Sequence, residues 1–94
     1  MKPLKPKKPE VIVPDHAWDC WLARANRPPN KRNALAKLVS TLLYNQMAAG
    51  TEVYSLETEI DLGGIYAVLV LGETSWVVKT FLDEGMFRYY RREA

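Results

Sequence analysis

The chain of 94 residues has one cysteine, Cys20, and one histidine, His16. A lone cysteine excludes an intramolecular disulfide, so the fold neither needs an oxidising compartment nor signals one. One cysteine and one histidine cannot complete a structural zinc site either. The five glycines form no phosphate-cradling loop of the P-loop or dinucleotide type, and Leu62-Gly63-Gly64-Ile65 reads as a turn. No apolar run reaches the ~20 residues of a transmembrane helix. The basic N-terminus leads into prolines instead of an apolar signal core, which makes the cytoplasm of a host cell the expected location. No cofactor, metal ion or membrane contact is expected.

Apolar residues and aromatics are plentiful, at 48% and 11%. That is a globular composition, and the length suits one domain with a modest core. The net charge of +2 hides an asymmetry. Residues 1–14 carry Lys2, Lys5, Lys7 and Lys8 against Glu10. Lysine alternating with proline favours extended polyproline II and buries little, so 1–14 reads as a flexible basic tail and 15–94 as a single α+β domain. Within the tail, Val11-Ile12-Val13 has the character of a short edge strand. Arg24, Arg27, Lys31, Arg32 and Lys37 form a basic run, Glu57, Glu59 and Asp61 an acidic one, and Arg88, Arg91 and Arg92 close the chain. Such polarity suits a polyanionic or patterned partner, and equally a solvated surface.

Asp15 has the chemistry of an N-cap, and Ala17, Trp18, Trp21, Leu22 and Ala25 recur at helical spacing. These signals predict a helix near 16–26, stopped by Arg27-Pro28-Pro29-Asn30. Ala34, Leu35, Leu38, Val39, Leu42 and Leu43 predict a second helix near 33–49, with Gly50 as its exit. The period then changes from about 3.6 to 2. Strands are expected near 52–60, 65–71, 75–82 and 86–91, joined by glycine-bearing hairpin turns. The predicted fold is two N-terminal helices packed on a four-stranded antiparallel β-meander.

Candidate chemistry gathers on the first helix. His16, Cys20 and Arg24 fall within an arc of about 80° at helical spacing. A His16–Cys20 pair one turn apart suits either a thiol–imidazole contact or plain core filling between two tryptophans. Glu57, Glu59 and Asp61 share one strand face, which suits a metal, a phosphate mimic or a solvated surface. Metal-free RNA cleavage needs a base for the 2′-hydroxyl, cations for the phosphorane charge and a proton donor for the departing oxygen. His16, the arginines, Lys79, Thr80 and the terminal tyrosines supply those residue types. The plainer account is a helix-start histidine and a charged edge strand that discourages aggregation.

Two stretches carry a resemblance. "DHAWDCWLARAN" resembles the opening of small phage- and plasmid-associated proteins in which a His-Ala pair starts a helix and arginines follow one and two turns later. "WVVKTFLDEG" looks like their penultimate strand, which ends in Lys-Thr and an aromatic or aliphatic residue. That group is the barnase–EndoU–colicin–RelE-like superfamily of ribonuclease folds, and the likeness in layout spans roughly residues 15–90. It implies an RNase-type toxin or effector, a hydrolase that cleaves RNA by metal-independent transesterification. The implied catalytic residues are His16 as general base or acid, Arg24 and Arg88 on the scissile phosphate, and Thr80 and Tyr90 orienting it. Lys79, Arg27, Lys31, Arg32 and Arg91 would bind RNA, and a cognate antitoxin is an implied partner. The chain departs from the group at Cys20, where relatives commonly carry another arginine. The other expectation, from a different class, is a non-enzymatic phage-encoded protein that inhibits a host complex through its charged faces.

Overall fold

Why the first helix starts where it does is visible in the chain just before it. The computed structural model of the protein describes residues 8–48 and 57–93. Strand β1 (Val11–Ile12) runs through Val13 into Pro14, which takes the N-cap position of α1 (Asp15–Arg24) in an extended conformation. Asp15, expected as the cap, is instead the first helical residue. Its carboxylate receives the Arg32 guanidinium rather than the free amides. Ala17, Cys20 and Trp21 form the buried face of α1. The helix stops short of its expected end because Asn26 turns the backbone left-handed at φ +50°, a conformation asparagine tolerates better than most residues.

Helix α2 (Arg32–Ala48) buries Leu35, Val39 and Leu43, which recur every fourth residue and so lie along one side. Residues 49–56, including the expected exit at Gly50 and the start of the strand expected over 52–60, lie outside the described residues. Strand β2 (Glu57–Asp61) pairs antiparallel with β3 (Ile65–Leu71), and β3 pairs antiparallel with β4 (Trp76–Asp83). Helix α3 (Glu84–Glu93) follows β4 directly.

The fold is α+β, but the sheet is mixed, with strand order β1-β4-β3-β2. Its fourth strand is β1, parallel to β4 through Val11–Trp76 and Ile12–Val77, and not the expected strand at 86–91. That segment is α3. The reason is local: Asp83 accepts the Met86 amide at 2.9 Å, as a helix-capping carboxylate does, and Glu84 and Arg88 then pair one turn apart at 2.7 Å. Asp83-Glu84-Gly85, expected as a hairpin turn, is a helix start.

Residues 8–14, expected within the flexible tail, are held by the fold; residues 1–7 lie outside the described residues. Val11 and Val13 are buried. The Glu10 carbonyl accepts the Trp76 amide at 2.8 Å, and the Pro9 carbonyl accepts the Ser40 hydroxyl at 2.5 Å.

One core lies between the sheet and α1 with α2. Trp21, Leu35, Val39 and Leu43 meet Ile60, Ile65, Ala67, Leu69, Val78 and Phe81 there. Register shifts between Val68 and Leu69, so Lys79 has no partner on β3. This bulge changes the alternation of β4 and lets Trp76, Val78 and Phe81 all reach the same core. Val68 is equally buried but faces the other way, under α3. The middle of β3 is thus covered on both sides, as its unbroken apolar run predicts. Among the described residues, no helix is long and apolar enough to cross a membrane.

Trp21 joins the layers: its ring meets Phe81 edge-on at 5.3 Å, and its indole N–H donates to the Pro29 carbonyl at 3.0 Å. Trp21→Ala should therefore cost about 3–5 kcal/mol, read as a lowered midpoint in urea unfolding followed by circular dichroism.

Candidate functional site

The far side of the sheet, away from α1 and α2, carries Tyr66, Val68 and Val70 of β3, Glu57, Glu59 and Asp61 of β2, and Thr80 and Leu82 of β4. Helix α3 covers only part of it. Phe87 stacks on Tyr66 at 3.9 Å, nearly coplanar, and Tyr90 reaches across to donate its hydroxyl to the Glu57 carboxylate. These contacts carry α3 over β3 toward β2. They leave a groove of about 680 Å³ beside β4, floored by Val68 and walled by Thr80, Leu82, Met86 and Tyr89, with Lys79 at its margin. Its size lies within the range of small-molecule and peptide pockets.

Thr80 links this groove to the first helix. Its hydroxyl donates to the Cys20 sulfur at 3.8 Å, and the same sulfur lies 3.7 Å from His16 Nε2. The two contacts in series keep histidine and threonine within the span of about 8 Å that one bound phosphate can bridge. His16 itself is exposed, whereas Cys20 is buried.

The cations that a phosphate site requires are placed differently. Arg24 donates to the backbone carbonyl of Phe81 on the edge of β4. Arg27 holds the β2–β3 turn through the carbonyls of Leu62 at 2.6 Å and Gly63 at 2.9 Å. Arg32 donates to the Val13 carbonyl at 2.8 Å while pairing with Asp15. Three members of the basic run are therefore bound to backbone. Lys31 is exposed. Arg88 sits on the solvent side of α3 with Glu84, outside the groove. Arg91 is in α3, but its side chain lies outside the described residues.

Tyr90 is in the groove wall, yet its proton is committed. Hydrogen bonding to Glu57, then burial, then the nearby charges of Glu57 and Glu59 push its phenol up to about 12. That opposes proton donation at neutral pH. On the acidic face of β2, Glu57 thus holds α3, while Asp61 accepts the Gly63 and Gly64 amides of the β2–β3 turn at 2.8 and 3.2 Å. Among the described residues, no group of three His, Cys, Asp or Glu side chains is placed to bind a metal ion.

Sequence reasoning named His16 and Thr80, which both approach the Cys20 sulfur, and Arg24 and Arg88, which are held by the Phe81 carbonyl and by Glu84. It missed Met86, Tyr89, Leu82 and Val68 as groove residues because the aromatics of 86–91 predict a strand there, whereas the segment is helical. The signal was present: Asp83 ahead of Met86 and Tyr89, and of Phe87 and Tyr90, each pair three residues apart and so on one helical side.

The Tyr90 shift has a direction that can be measured. A phenol whose folded value lies above the unfolded value of about 10 adds stability that is fully present below pH 10 and is lost as pH rises toward 12. In an absorbance titration of phenolate, a late step near pH 12 should appear, and Tyr90→Phe should remove it.

No protein-family model, no curated protein and no solved structure matches the chain.

Proposed function

We propose that the protein is a non-enzymatic protein-binding module, of the kind that inhibits a host complex, and that it works through the groove between α3 and the sheet. One observation carries this reading. The groove is lined largely by Val68, Leu82, Met86 and Tyr89, while Arg24, Arg88 and the Tyr90 phenol, which RNA cleavage would need, are tied to a backbone carbonyl or to carboxylates. An apolar recess bordered by a few polar groups is suited to apolar side chains. Tyr89 is 67% exposed and Met86 41%, which leaves both free to meet a partner. Exposed tyrosine and methionine are common anchors of protein contacts.

A second reading is favoured by one contact, the His16–Cys20–Thr80 series. In it the protein is a metal-independent ribonuclease of the barnase–EndoU–colicin–RelE-like type. His16 takes the 2′-hydroxyl proton, Thr80 and Lys79 face the phosphate, and RNA and an antitoxin are the partners. Arg24 would have to leave the Phe81 carbonyl to join them.

The two readings separate on one pair of substitutions. At dilute protein, an anionic naphthalene dye that fluoresces in apolar recesses should bind, and Tyr89→Glu should weaken that binding at least about tenfold. Incubation with RNA should show no cleavage that depends on His16. If His16→Gln instead lowers RNA cleavage by roughly 10²-fold with the fold intact, the ribonuclease reading replaces this one.

A further inference from the structure

The sheet ends in two outer edges, β1 on one side and β2 on the other. At β1 the carbonyls flanking the strand are taken by α2, Pro9 by the Ser40 hydroxyl and Val13 by the Arg32 guanidinium. The β2 edge is open. Leu62 donates its amide to the Ile65 carbonyl at 2.7 Å, and in an antiparallel pair bonded and non-bonded positions alternate. Counted back along the register, Ile60 and Thr58 turn their backbone groups toward β3, whereas Asp61, Glu59 and Glu57 turn theirs away from it. Among the described residues, nothing bonds to the outward N–H and C=O of Glu59 or Asp61. Such a row is a template for another strand. Both sides of this edge are unfinished as well. On the far side Glu59 stands between Glu57 and Asp61 and pairs with no cation among the described residues. On the near side α2 crosses the sheet to β2, where Gln46 meets Thr58 at 3.4 Å. Its inward row of Leu35, Val39 and Leu43 is fully buried, yet Met47, the next in that row, comes after the last strand and is 46% exposed. One more strand would cover it.

We infer that the outer edge of β2 binds an extended segment of another protein as a fifth strand, one in which basic residues alternate with apolar ones. This edge is separate from the groove beside β4 and does not depend on it. Strand addition takes its affinity from the backbone and its selectivity from alternate side chains. Directly opposite residues of paired strands project to the same side of the sheet. A residue that exchanges backbone bonds with Glu59 or Asp61 therefore sets its side chain beside their carboxylates, and arginine or lysine suits that place. The residues between them point to the side of Met47 and α2. Those are apolar. The chain's own β2 does not serve as the added strand, because outward-facing residues meet only outward-facing residues and carboxylate would lie opposite carboxylate.

The probe is a fluorescent peptide of about nine residues that alternates arginine with valine, titrated into the full chain and followed by anisotropy. It should bind with a Kd below about 1 mM. In the bound state the amides of Glu59 and Asp61, read by NMR, should exchange with deuterium at least about tenfold more slowly than in the free chain. N-methylation separates strand addition from charge attraction. On the arginines it removes the N–H groups aimed at β2 and should abolish binding, whereas on the valines, whose N–H groups point away, binding should persist. Glu59→Lys should weaken the arginine peptide about fivefold or more and make a glutamate–valine peptide the better ligand. That reversal reads contact rather than folding, which circular dichroism checks. Leu22→Glu, on an exposed site of α1, should leave binding unchanged. No binding up to about 1 mM, or binding that survives N-methylation of the arginines, overturns the inference. Displacement of the peptide by the naphthalene dye overturns it too, since the peptide would then occupy the groove.

Discussion

The outer edge of β4 is the constraint on which the rest of the structure depends. On its inner side β4 is laddered to β3 from Trp76 to Asp83 except at the Lys79 bulge, but the backbone groups on its outer side need partners too. Two devices supply them in succession. Strand β1 pairs with the first two residues, and α1 then lies along the remainder, with Arg24 donating to the Phe81 carbonyl. Trp21 against Phe81 fixes how closely the helix approaches. Once α1 is seated this way, Cys20 must meet Thr80 and His16 must sit above Cys20. The histidine contact follows from how the edge is covered.

The arginines show how charge can serve backbone rather than ligand. Arg24, Arg27 and Arg32 each reach a main-chain carbonyl on an element distant in sequence: β4, the β2–β3 turn and the entry to α1. A guanidinium offers five donors in a fixed fork and keeps its charge at any ordinary pH, so it can hold a carbonyl while leaving its remaining donors to water or a carboxylate. Such charge-assisted bonds contribute about 1.5–3 kcal/mol each where they are shielded. A run of basic residues near a histidine therefore has two physical meanings, and only tertiary position distinguishes them.

That distinction explains how much of the molecule was legible beforehand. Helices α1 and α2 could be read, because Ala17 and Trp21 in the first, and Leu35, Val39 and Leu43 in the second, repeat at a period that only a helix buries. Strands β3 and β4 could be read because runs of seven and eight residues, wholly apolar in β3 and mostly apolar in β4, lie between glycine-bearing turns and leave few alternatives. Met86 to Arg91 could not, since its aromatics suit a strand and its spacing suits a helix. The balance was tipped by the Asp83 cap and by Tyr66, a long-range stacking partner. The identity of the fourth strand was hidden for a similar reason. Val11 and Ile12 are too short to announce a strand, and their pairing depends on where β4 ends up. Of the candidate site, the His16–Cys20 pairing was readable from helical spacing, whereas the Thr80 contact and the groove were not, because the first depends on how α1 covers the edge of β4 and the second exists only once α3 is a helix.

The parallel pairing of β1 with β4 also sets an order of events. Its two partners are separated by most of the chain, with both long helices and two strands between them. As the polypeptide leaves a ribosome, α1 and α2 are complete long before β4 exists, so Val11 and Val13 emerge early and wait with their apolar side chains uncovered. The entry segment that looks like a minor appendage is in this sense the closing latch of folding. It engages only after the strand made last has found its place.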